Sequence, residues 1–158
     1  MKMVDKEKTL KELNEEFHKL KSKIGFKAEF EDLDKAFSIK NHVLKEGYVS
    51  DNFSAQLRGR IIEYFNSGAS YLHGLLLPNT QNIVNMNESK LFDQENKKII
   101  GQVVGKCMYL SSKNTLINIE GKKDEEGKFI DEAFSFYKKE FNPEMVKVML
   151  KVKDYWSK

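Results

Sequence analysis

From Asn52 to Asn87 the chain carries only three formally charged side chains, Arg58, Arg60 and Glu63, although Asp, Glu, Lys and Arg make up 32% of the whole. Phe53, Leu57, Ile61, Tyr64, Phe65 and Leu72 recur within this stretch at helical spacing. A helix without charge on any side is expected to be buried on all sides, whether wrapped by the other helices or covered by a second subunit. The pattern therefore predicts a central helix over about 51–76, capped by Ser50 and stopped by Pro78. Its remaining polar residues are small or neutral, among them Ser54, Gln56, Asn66, Ser67, Ser70 and His73. Buried polar groups need partners, so this helix is also the natural wall of a polar network or pocket.

The flanks read as further helices. Leu10, Leu13, Phe17, Leu20 and Ile24 make a narrow stripe between charges over about 4–24, an outer amphipathic helix ended by Gly25. A second helix is predicted over 28–45 with Phe30, Leu33, Phe37, Val43 and Leu44 inward. Residues 79–89 are rich in Asn, Thr, Gln and Ser and read as a loop with at most one turn near Ile83. A helix over 89–112 turns Phe92, Ile99, Ile100, Val103, Cys107 and Leu110 inward. Residues 114–120 could extend it or form a short strand; extension is preferred because a lone strand has no partner. Helices over 125–141 and from Pro143 onward follow, the last with Asn142 as cap and Val146, Met149, Leu150, Val152 and Trp156 inward. The expected fold is one all-α domain over 1–158, a compact bundle of five to six helices. Gly59, Gly68 and Gly74 in the central helix and Gly101 and Gly105 in the next suggest close packing of those two backbones. A close contact with a second copy, or a ligand against bare backbone, is the sharper alternative.

Several chemistries are excluded or weakened. Cys107 is the single cysteine, so no internal disulfide and no cysteine-rich zinc site can form. No apolar run is long enough to span a bilayer, and Met1–Leu20 lacks the apolar segment of a signal peptide, so a cytoplasmic protein is expected. A net charge of +3 is too small for a histone-like nucleic-acid binder. His18, His42 and His73 fall on separate helices without companion ligands at metal spacing, so no metal and no cofactor is expected. Arg60 and His73, with twelve residues between them, are too far apart for the Arg–His pairing of helical ribonucleases. No phosphate loop or nucleophile elbow is present.

Two features remain. Arg58 and Arg60 are the only arginines among 27 basic residues, which hints at a need for planar, multidentate hydrogen bonding. Spaced i, i+2, they diverge by about 200° on a helix and cannot form one clamp. One is expected to pair with Glu63; anion binding is the alternative. Charge is also polarised beyond the central helix. Lys90 to Lys123 holds seven bases against three acids, and residues 124–141 hold six acids against three bases.

The leading expectation is a non-enzymatic interaction or scaffold protein that self-associates as a homodimer, docking a protein partner through complementary faces. A second is an RNA- or DNA-associated module using Lys97, Lys98, Lys106 and Lys113. A third is a small-molecule binder or enzyme with a polar pocket formed by Tyr64, Asn66, Ser70 and His73, beside Arg58, Arg60 and Glu63.

Overall fold

A computed structural model describes residues 5–158, so Val4, the first residue of the expected outer helix, lies outside the described residues. Among the described residues every regular element is helical: α1 (Lys6–Ile24), α2 (Phe30–Phe37), α3 (Ile39–Glu46), α4 (Phe53–Leu76), α5 (Ile83–Ser89), α6 (Gln94–Glu120), α7 (Lys123–Phe136), a π-helical turn (Tyr137–Phe141) and α8 (Asn142–Trp156). The all-α expectation holds. The chain breaks more often than five or six helices require.

Each break has an identifiable cause. The segment expected as one helix over 28–45 divides at Ser38, whose backbone sits in the left-handed region at φ 55°. The side chain of Asp34 accepts from the Lys40 N–H at 2.7 Å, and the Phe37 carbonyl accepts from Arg60 Nε at 2.7 Å. Those bonds satisfy α3's first turn and α2's last one, so the break leaves few groups unpaired. Residues 83–89, expected as loop, form α5 because Asn82 caps it through the Asn85 N–H. Asp93 caps α6 through Asn96, so that helix starts at Gln94 and not near Ser89, and it continues unbroken through 114–120. Asn52, not Ser50, caps α4; the Ser50 hydroxyl accepts from the Asn52 N–H instead.

The junction near Pro143 differs most from expectation. Asn142 caps nothing, and the chain stays helical from Lys123 to Trp156. Proline cannot donate to the Lys139 carbonyl, and its ring crowds that group. The helix absorbs this as a π turn, with the Asn142 N–H bonded to the Tyr137 carbonyl. The extra residue advances the helix, and α8 buries Val148 and Val152, whereas Val146, Met149, Leu150 and Trp156 are largely exposed. Those four were expected inward. Because α8 is apolar on more than one side, its pattern fits two registers.

One hydrophobic core joins the elements. Leu13, Phe17 and Leu20 of α1 dock onto it, with Phe17 against Phe26 and Phe30. Phe37, Tyr64, Phe65, Phe136, Tyr137 and Phe141 make an aromatic cluster with neighbouring ring centroids 5.1–6.0 Å apart. Gly68 admits Phe141 to this cluster; a Cβ there would collide with the ring. The expected close packing of α4 and α6 is present, and Gly101 lies at it against Leu76, but the other glycines serve elsewhere. Gly68 receives Phe141, Gly74 lies against Asn85, and Gly59 and Gly105 face open space.

Candidate functional site

α4 and α6 are the most extensively paired elements. They run antiparallel, with Arg58 reaching Asn114 and Asn118 near one end and Leu76 lying against Gly101 near the other. Within one chain the other helices do not wrap α4 on all sides. Gly59, Glu63, Asn66, Ser67, Ser70 and His73 form an exposed face along it. The charge-poor composition thus marks one open face, on which Glu63 is the one charged side chain, as well as a buried one.

α6 has a matching stripe. Gln102, Gly105, Met108, Tyr109, Ser112, Thr115, Leu116 and Ile119 are exposed and carry no charge. Turning in the sense of chain advance, about 100° per residue, this stripe follows the residues of α6 that touch α4. On α4 the open face follows Arg58 and Leu76 in the same sense. For antiparallel neighbours that places both faces on one side of the pair. Ile119, at 76% exposure, and Leu116 and Tyr109, each about half exposed, are its main apolar groups. Glu63 lies within the α4 face, 58% exposed and 3.8 Å from both Arg60 and His42.

The remaining sequence candidates separate. Tyr64 turns away from this face into the aromatic cluster, where burial and the neighbouring Tyr137 push its phenol above the ordinary range. Asn66, Ser70 and His73 are exposed, so no enclosed pocket gathers them with Tyr64. Arg60 closes α2, and its pairing with Glu63 agrees with the expected salt bridge. Arg58 is 1% exposed and is bound on every side. Its Nε donates to Ser54 Oγ at 3.1 Å, Nη1 to Asn114 at 2.6 Å and Asn118 at 2.8 Å, and Nη2 to Glu126 at 3.2 Å. Burial draws its pKa below the usual guanidinium value, and Glu126 partly restores it; an arginine remains protonated throughout.

The four lysines also diverge. Lys106 and Lys113 both donate to Glu132, at 3.0 and 2.6 Å, and both lie near the Tyr109 ring. Burial would raise the Glu132 carboxyl, but the two lysine hydrogen bonds outweigh it and hold the pKa below the ordinary value. Lys97 and Lys98 alone of the four have no acidic partner among the described residues.

Sequence reasoning missed Glu88. It is 7% exposed and accepts from Tyr71 Oη at 2.7 Å and from Trp156 Nε1 at 2.9 Å. Its place in a segment read as loop concealed it. Among the described residues no group of three or more His, Cys, Asp or Glu could hold a metal ion, and no helix is long and apolar enough to cross a membrane. No protein-family model matches the chain, and no curated protein or solved structure does either.

Proposed function

We propose that this is a non-enzymatic interaction protein that self-associates through the α4–α6 face. The observation that carries the reading is the absence of charge along the α6 stripe from Gln102 to Ile119 in a chain that is 32% charged. In a two-fold contact the same patch meets itself, so a charge near the axis opposes its own copy or a neighbour of like sign. A surface with little charge lessens that repulsion, and on this face Glu63 is the one carboxylate. Gly59, Gly105, Ser67, Ser70 and Ser112 keep the face low and allow two helix pairs to approach closely, while Met108, Tyr109, Leu116 and Ile119 supply apolar area.

The size is adequate. The α6 stripe is about 26 Å long and the pair about 20 Å wide, a footprint of about 500 Å² per subunit. Doubled, it reaches the roughly 1,000 Å² that a specific interface needs. Sedimentation equilibrium tests the reading, with Leu116→Glu and Ser70→Glu as variants at exposed positions. The wild type is expected as a dimer and both variants as folded monomers. A wild type that stays monomeric at about 100 μM, a concentration at which a micromolar dimer is well populated, overturns the reading. So does a dimer that neither variant weakens.

A further inference from the structure

The register that the π turn imposes leaves α8 with an apolar face that the bundle does not use. Val148 and Val152 are the residues that α8 buries. Val146, Met149, Leu150 and Trp156 are each about half exposed, from 42% to 51%. At about 100° per residue these four span an arc of about 120°, centred about 120° round the helix from the two buried valines. Single exposed apolar side chains are ordinary on a protein surface. Four on adjoining turns of one helix form a contiguous patch, which calls for an occupant.

The charge beside the patch is basic. From Lys138 to Lys158 six lysines stand against three acids, Glu140, Glu144 and Asp154. Lys147 and Lys151 follow the patch along one border and make no salt bridge among the described residues; the Lys151 ammonium rests 5.5 Å from the centroid of the Phe92 ring. Lys153 is the one charged residue within the arc, and its stem can lie along apolar surface while the ammonium reaches outward. Of the three acids only Asp154 lies on α8 beside the arc, 3.8 Å from Lys153. The occupant must therefore be apolar beneath and anionic above.

An anionic bilayer has that layering, and an acidic groove on another protein also matches the charge. Trp156 favours the bilayer. Tryptophan is enriched in the headgroup layer, where an apolar ring and a polar N–H both find a place. Here Nε1 already donates to Glu88 at 2.9 Å, so the ring can enter that layer with its donor satisfied. An apolar helix face, lysines at its border and a half-exposed tryptophan are together the features of a helix that lies in the plane of an anionic membrane surface. We infer that α8 docks this protein on an anionic lipid surface, lying on the bilayer and not across it. The inference does not depend on the dimer. Gly68, which receives Phe141 next to the start of α8, lies about 160° round α4 from Ser70 on the dimer face, so self-association leaves α8 open.

The test uses vesicles of phosphatidylcholine mixed with an equal amount of phosphatidylglycerol, and vesicles of phosphatidylcholine alone. Co-sedimentation measures binding, and emission from Trp156, the only tryptophan, reports whether this face makes the contact. The mixed vesicles are expected to shift the emission to the blue and to bind about tenfold or more tightly than phosphatidylcholine alone, a difference that high salt removes. M149S/L150S and K147Q/K153Q change exposed positions only, and circular dichroism checks that both stay folded. Each should weaken binding to the mixed vesicles by about tenfold or more, the first by removing apolar area and the second by removing charge. The inference fails if the mixed vesicles neither sediment the protein nor shift the emission, or if M149S/L150S binds them as the wild type does. It also fails if polyglutamate shifts the emission as strongly as the mixed vesicles, the result that an acidic protein partner would give.

Discussion

Replacing Arg58 by methionine tests whether its buried network holds α4, α6 and α7 together. Methionine keeps the length and packing of the stem but removes every donor. Ser54 loses its donor at 3.1 Å and Asn114 its donor at 2.6 Å, and both residues are buried. Each such loss costs about 1 kcal/mol or somewhat more. Asn118 is exposed and can turn to water, so its bond counts for little. Glu126 loses its only cation; with its side chain 17% exposed it is partly rehydrated, and a further cost of about 1 kcal/mol is reasonable, below the 3–5 kcal/mol of a fully enclosed pair. The expected loss is about 3 kcal/mol. For a chain of this length that lowers Tm by about 6–12 °C. Urea denaturation followed by circular dichroism measures it, with Glu126→Gln and the double variant completing a cycle. The double variant should be less destabilised than the two single changes combined, because the amide no longer requires a cation. A loss below about 1 kcal/mol, or strict additivity, refutes the reasoning.

Two glycine-to-alanine changes should move stability in opposite directions. Gly59 faces open space within α4, so Gly59→Ala should raise stability by about 0.5–1 kcal/mol, whereas Gly127→Ala places a Cβ against the Ile24 carbonyl and should lower it by about 1–2 kcal/mol; thermal melts at low protein concentration separate the two. Trp156 is the only tryptophan and donates to buried Glu88, so Glu88→Ala should redden its emission and cost about 2 kcal/mol as Tyr71 loses its acceptor, while Glu88→Gln should largely preserve both. An unchanged emission spectrum in Glu88→Ala would mean that this bond does not hold the end of α8.

How far these features could be read in the sequence depends on how local their causes are. The α1 stripe, the Gly25 stop and the α4 core positions depend on spacing within a few residues, and each emerged at or near its expected place. The break at Ser38 did not, because a non-glycine residue holds a left-handed backbone there with help from Arg60, 23 positions away. The α5 helix and the π turn rest on local chemistry that composition conceals. Asn82 is one asparagine among several in a polar stretch, and Pro143 looked like a helix start, a place that proline favours. What it produced was a bulge inside a continuing helix, and that bulge shifted the register of α8.

The candidate sites depend on longer reach. Two arginines in a lysine-rich chain were a correct signal that planar, multidentate bonding matters, but the partners of Arg58 lie 56 to 68 positions away, on α6 and α7. No sequence period announces such a set. The charge-poor segment is more instructive. Absence of charge fits burial under the other helices, and it fits equally a surface that meets a copy of itself. Composition along α4 alone could not separate those causes. On α6, Gln102 to Ile119 is neutral on its solvent side, while Lys106 and Lys113 on the same helix are turned aside to Glu132. Charge is present on α6, then, and is drawn off its open face toward α7. The arrangement is informative because it ties the neutrality of two separate helices to one side of one pair, where a second subunit would sit.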